Sequence, residues 1–194
     1  MFGIVQGGMY ADLRREHARI LVDMDLDGLA IGGLSVGEGH KEMMEMTSVV
    51  VEELGTEKVR YLMGVGHPVD IVEAIARGID LFDCVLPSRA GRHAQAYTSV
   101  GKMNFRNARY RDDQNALDPN CACATCRGYS RGYLRYLTMT KEFLGSRLLS
   151  LHNISYYQSL MTRARAAITA NSAVEFALLR EEAKVASTPA PLGC

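Results

Sequence analysis

Over its first 90 residues the chain alternates short apolar runs that close on glycine with longer segments of helical spacing, and this repeat restricts the fold more than any other feature. Gly3-Ile4-Val5-Gln6 predicts a strand leading to a helix over 12–24, on which Leu13, Ile20, Leu21 and Met24 share a face. Gly28-Leu29-Ala30-Ile31 is the second strand; after Gly32-Gly33 a helix spans 41–54 and stops at Gly55. The third strand covers 59–63, with a short helix over 68–77 stopping at Gly78, and the fourth covers 81–86, ended by Pro87. Strands this short and apolar, each separated by a helix, predict a parallel sheet buried on both faces. A doubly wound sheet and a barrel both satisfy the pattern. Position favours the barrel, because Gln6, Gly32-Gly33, Met63-Gly64 and Asp83 fall at or near C-terminal strand ends, where βα-loops build a barrel's site.

Beyond Arg92 the pattern changes. Residues 95–98 and 102–105 flank Ser99-Val100-Gly101 as a β-hairpin, a cysteine cluster follows, and helical stretches cover 130–149, 154–170 and 173–184, leaving a frayed tail. The 194 residues are 47% hydrophobic and 23% charged, enough for an ordinary core and outside the disordered range. No run approaches the roughly 20 apolar residues of a membrane span. The start MFGIVQGGMY lacks the basic and apolar regions of a signal peptide, so the cytoplasm is the expected compartment. Net charge is zero, yet from Cys84 to Arg111 there is no acid against Arg89, Arg92, Lys102, Arg106, Arg109 and Arg111. That excess suits a phosphate backbone or, more plainly, a solvated basic face.

Five cysteines, an odd number with three of them crowded together, argue against disulfides. Cys121, Cys123 and Cys126, with His152 downstream, supply three thiolates and an imidazole, the set that zinc takes tetrahedrally in closed structural sites. Asp83, between Phe82 and Cys84 on an apolar run, needs either an ion pair or a catalytic use to offset its burial. Gly64-Val-Gly-His-Pro-Val-Asp70 and Ser88-Arg-Ala-Gly-Arg92 follow the third and fourth strands, where glycines and arginines suit close approach to phosphates. Gly64 to Gly66 does not open a long helix, which excludes a dinucleotide fingerprint.

Taken in order and at their intervals, FGIVQGG, IGGLSVGEG, YLMGVGHP, DLFDCVLPSRAGR, NARY and CACATC with a later LHNI resemble the C-terminal half of the tRNA-guanine transglycosylase (queuine tRNA-ribosyltransferase) family over residues 2 to about 180. The resemblance implies the last four units of a TIM (β/α)8 barrel over 1–92, a hairpin plus zinc-binding, mainly helical subdomain over 93–185, and a disordered tail over 186–194. It implies exchange of the wobble guanine of tRNA for a 7-deazaguanine through a covalent ribosyl intermediate on Asp83. Gln6, Gly33 and Met63 then contact the base. Gly64, Val65, Gly66, His67, Pro68, Val69 and Asp70, with Ser88, Arg89, Ala90, Gly91 and Arg92, contact tRNA. Cys121, Cys123, Cys126 and His152 hold a structural zinc, and the intact enzyme is expected to be a homodimer. Ser88 stands where the family has threonine, which keeps the hydroxyl. The family's two further aspartates belong to the N-terminal half, absent from this chain. Readings that compete with this one are a non-catalytic tRNA-binding or accessory subunit, an inactive fragment, and a barrel enzyme acting on a small phosphate compound.

Overall fold

In the computed structural model, which describes residues 1–191, the four apolar runs form β1 (Phe2–Val5), β2 (Gly28–Ile31), β3 (Val59–Leu62) and β4 (Leu81–Phe82). They pair in parallel and in sequence order; Phe2, Gly28 and Val59 lie side by side, as do Ile4, Ala30, Tyr61 and Leu81. Helices α1 (Ala11–Val22), α2 (His40–Val51) and α3 (Pro68–Ile75) make the connections. Proline opens α3 at a position whose N–H has no helical partner to lose. This α/β segment, Met1–Cys84, is one of two compact units; the other begins at Val85.

Strand side chains alternate between two faces. Val5, Leu29, Ile31 and Leu62 point to one of them and join Ala18, Leu21, Met43 and Ala74 from the helices in a single core. On the other face Phe2, Ile4, Val59 and Leu81 are each at least 40% exposed. The expectation of a sheet buried on both faces is therefore corrected: among the described residues, helices cover one face only. The inward face of α1 also differs from its reading. Arg14, Ala18 and Leu21 are buried, while Leu13, Ile20 and Met24 are exposed. Small Ala18 allows close approach, and Arg14 finds carbonyl partners that compensate for its charge.

The fourth strand is shorter than the sequence suggests. The chain leaves it after Phe82, and Leu86–Arg92 is a helix, α4, in which Pro87 starts the first turn instead of ending a strand. In the second unit, β5 (Gln95–Thr98) and β6 (Gly101–Asn104) form the expected antiparallel hairpin. A 3-10 turn over Ala108–Tyr110 precedes α5 (Ala124–Gly128), α6 (Arg131–Met139), α7 (Phe143–Thr169) and α8 (Ala173–Ser187). The single helix read over 130–149 is two, because Lys141 takes a left-handed φ of 58° and Glu142 donates to the Leu137 carbonyl, closing α6. Conversely α7 runs unbroken through 150–154, where His152 and Asn153 are buried with partners.

Ala94, Ala96, Met103, Phe105, Leu134 and Leu149 belong to the core of this unit. The stretch read as a tail from 186 keeps its helix to Ser187. The Thr188 carbonyl then accepts from Lys102 N at 2.7 Å, and Ala190 N donates to the Lys102 carbonyl at 2.9 Å, so this stretch is tied to β6. Residues 192–194 of that expectation lie outside the described residues. No helix among the described residues is long and apolar enough to cross a membrane.

Candidate functional site

Asp83 follows the last residue of β4, at the C-terminal edge of the parallel sheet. Its Oδ1 accepts from the Tyr61 hydroxyl at 2.6 Å and from Gly64 N at 2.9 Å. Both donors are neutral, so the carboxylate is oriented without being cancelled by a cation. The Tyr61 hydroxyl first and the Gly64 amide second stabilise the ionised form and hold its pKa below the usual carboxylate value, against the opposing effect of partial burial. Tyr61, left out of the sequence reading, is raised in turn by the same hydrogen bond. Its position was legible: it alternates with Arg60 and Leu62 on β3 and so faces the open side of the sheet. Gly64 has φ +74°, a conformation that costs glycine little and orients its N–H on Asp83.

Around this carboxylate lies a cleft of about 320 Å3 lined by Ile4, Gln6, Gly32, Gly33, Leu34, Met63, Gly64 and Asp83. The structure thus brings together Gln6, Gly33, Met63, Gly64 and Asp83 from the ends of four strands. The Gln6 amide lies close over both glycines, so that a Cβ on Gly32 would come within 2.6 Å of Gln6 Nε2 and 2.7 Å of Ile4 Cγ2, while Gly33 takes a φ of +66° that favours glycine. Two larger cavities are lined by residues of the second unit alone. The small cleft carries the converging polar groups, and that chemistry outweighs volume.

The two loop segments distribute differently. Of Gly64 to Asp70, Val65, Gly66 and Pro68 are buried, Val69 is half-buried, and Gly64 and His67 are exposed. Asp70 Oδ1 lies 2.6 Å from His40 Nδ1. In α4, Arg89 and Arg92 are exposed, Ser88 bonds the Val85 carbonyl, and Ala90 and Gly91 are buried. Gly91 is pressed on α7, where a Cβ would meet Ser150 Oγ at 2.4 Å and Ser150 N at 2.6 Å. Helix packing, not approach to a ligand, accounts for that glycine. Of the six cations from Arg89 to Arg111, Lys102 lies over the Tyr97 ring and Arg109 donates to the Ala190 and Pro191 carbonyls, which leaves Arg89, Arg92, Arg106 and Arg111 on the surface.

Cys121, Cys123 at the start of α5, Cys126 within it, and His152 on α7 converge, their ligand atoms all within 4.8 Å of one another. His152 Nδ1 lies 3.3 Å from Cys126 Sγ and 3.7 Å from Cys123 Sγ. A tetrahedral ion with ordinary zinc bond lengths separates such N and S ligands by about 3.6 Å. His152 Nε2 sits 2.8 Å from the Tyr97 carbonyl, which fixes the ring with Nδ1 toward the cluster, the outer-shell contact expected of a ligating histidine. Burial pulls the imidazole pKa down, but the three sulfurs overcome it and raise it. Burial raises both Cys123 and Cys126; hydrogen bonds led by His152 reverse this at Cys123 only, the less buried of the two. The donors therefore fit a cation at their focus, and four protein ligands leave no open position.

Residues 1–184 match the family model described as queuine tRNA-ribosyltransferase. The chain is 49% identical over 175 residues to the queuine tRNA-ribosyltransferase of Rickettsia africae, covering 90% of this chain and 48% of that protein. It is 49% identical over 176 residues to the enzyme of that name from Francisella tularensis subsp. novicida, covering 91% and 48%. With the one from Clostridium acetobutylicum the figures are 51% over 176 residues, 91% and 47%. The chain spans about half the length of the curated relatives it matches.

Proposed function

This chain belongs to the queuine tRNA-ribosyltransferase family, and from that premise we propose that the protein containing it exchanges a guanine in tRNA for a 7-deazaguanine with Asp83 as nucleophile. The observation that carries the proposal is an ionised, neutrally held carboxylate at a strand end, in one cleft with Gln6, Gly33 and Met63. Exchange at an anomeric carbon needs a carboxylate beneath the ribose. Asp83 attacks C1′ as the bond to guanine breaks, and the sugar is held as an ester while the bases change place. The incoming base then displaces Asp83 from the opposite face, so configuration is retained. Gln6 and the Gly33 backbone read the purine edge and Met63 packs on its ring.

The rest of the reading follows the same premise. A four-stranded sheet in sequence order, with helices on one face and an apolar, exposed opposite face, supports half of a (β/α)8 barrel whose interior is completed by other strands. The segment from 93 to 185 is its zinc-bearing helical subdomain, and Cys121, Cys123, Cys126 and His152 hold structural zinc, for which three thiolates and an imidazole are the preferred donors. Exposed Arg89 and Arg92 contact the tRNA backbone and help offset the few kcal/mol needed to unstack the target base. Tyr133 and Tyr136 on α6 are exposed and stacked in series with half-buried Tyr129, an aromatic surface suited to a second copy in a homodimer.

The test is Asp83→Asn in the intact protein. Exchange and the denaturant-stable tRNA adduct should both disappear while tRNA binding survives; an active Asn variant would remove Asp83 from the chemistry.

A further inference from the structure

Arg14 is fully buried on α1, and no carboxylate among the described residues lies within ion-pair distance of it. Its partners are carbonyls. Nε donates to Gly8 O at 2.7 Å, both terminal nitrogens to Gly32 O at 3.2 Å, and Nη2 also to Gly33 O at 3.3 Å. One guanidinium therefore clasps the loops that follow β1 and β2, the same loops that bring Gln6 and Gly33 to the cleft. From the other end, Glu38 accepts from the amides of Ser35 and Val36, while the Gly32 amide is taken by the Val5 carbonyl. The backbone amides on either side, those of Gly32, Ser35 and Val36, are engaged, whereas the amides of Gly33 and Leu34, among the described residues, donate to no protein group.

Direction follows from peptide geometry. In a trans peptide the N–H points opposite to the C=O. With the carbonyls of Gly32 and Gly33 drawn inward to Arg14, the amides of Gly33 and Leu34 point the other way, and both residues line the cleft. Gly33 has φ +66°, which lets successive N–H groups converge into a concavity that receives an oxygen.

We infer that Arg14 is a positioning residue for base recognition, fixing the Gly32–Leu34 backbone so that its two free amides donate to the 6-oxo group of a guanine-type base. The inference rests on the base-binding reading above. It also explains why a cation is kept in a position that an apolar side chain would fill at lower cost: only a planar fork with several donors reaches Gly8, Gly32 and Gly33 together.

The test compares guanine with 2-aminopurine, which lacks the 6-oxo group, in the intact protein and its Arg14→Lys variant. Direct binding is measured by calorimetry for the first base and by fluorescence for the second. The unaltered protein should prefer guanine by about ten-fold or more, the worth of hydrogen bonds that are otherwise left unmade. In Arg14→Lys, which keeps the charge but cannot hold both loops, that preference should fall toward unity while tRNA affinity and metal content are kept. A general loosening of the fold would weaken both bases in proportion and leave the ratio unchanged, and that result overturns the role of Arg14. A parent protein that binds both bases equally overturns it without reference to any variant. One that binds neither removes the base-binding reading itself.

Discussion

Asp83 stays charged because a hydroxyl and an amide, not a cation, hold its oxygen. Its folded-state pKa is depressed, so the ionised form and any stability it brings are present above the usual carboxylate range and are lost as pH falls through the lowered value. Catalysis that uses Asp83 as nucleophile should share that acid limb. Tyr61→Phe removes the first of the two donors and should move the limb to higher pH, which a carboxyl-carbon NMR titration of Asp83 would follow directly. An Asp83 titration unaltered in Tyr61→Phe would contradict the hydrogen-bond explanation. Burial does not oblige Asp83 to find a partner or a use, which corrects the reading of its apolar run: the chain leaves β4 after Phe82, Asp83 is exposed, and its two neutral partners orient a charge that remains available.

Helix α4 meets α7 through Gly91, and β5 is joined to α7 through adjacent side chains, His152 on the Tyr97 carbonyl and Asn153 Oδ1 on the Tyr97 amide at 2.9 Å. Asn153 Nδ2 also donates to the Pro87 and Gln95 carbonyls. Substituting Gly91→Ala places a methyl where Ser150 backbone already lies, and overpacking of this kind costs about 1–3 kcal/mol. Urea denaturation should register that loss with an unchanged slope; a neutral Gly91→Ala would mean that the helices separate freely. The short α5 depends on the cysteine cluster and on Thr125 Oγ1 bonding the Leu148 carbonyl at 2.8 Å. Cys123→Ser should therefore release the metal and lower the melting temperature of the second unit. Equal metal content by elemental analysis in variant and parent would refute the assignment.

The first unit as a whole carries an exposed apolar sheet face, with Phe2, Ile4, Val59 and Leu81 on it, and β1 and β4 at the two edges of the sheet. Such a surface favours association, because open strand edges and contiguous apolar area both seek partners. The chain on its own should therefore self-associate with concentration in sedimentation velocity, and Ile4→Lys together with Leu81→Lys should reduce it. A monodisperse monomer over that range would count against the half-barrel reading.

Periodicity carried the strand–helix repeat, the hairpin and the cysteine cluster, since each rests on local spacing: alternation for strands, helical repeats for helices, and close ligands for a metal. Long motifs in register also carried Gln6, Gly33, Met63 and Asp83 to one cleft. Local spacing could not give the end of β4, the break at Lys141 or the buried face of α1. Those depend on which partners become available after the chain folds: a carbonyl for an orphan amide, a guanidinium shared by two loops, a backbone close enough to demand glycine. Tyr61 and Arg14 belong to the same class. Their residue types are ordinary, and what gives them a role is a hydrogen bond across 22 residues in one case and contacts spanning 6 to 19 in the other.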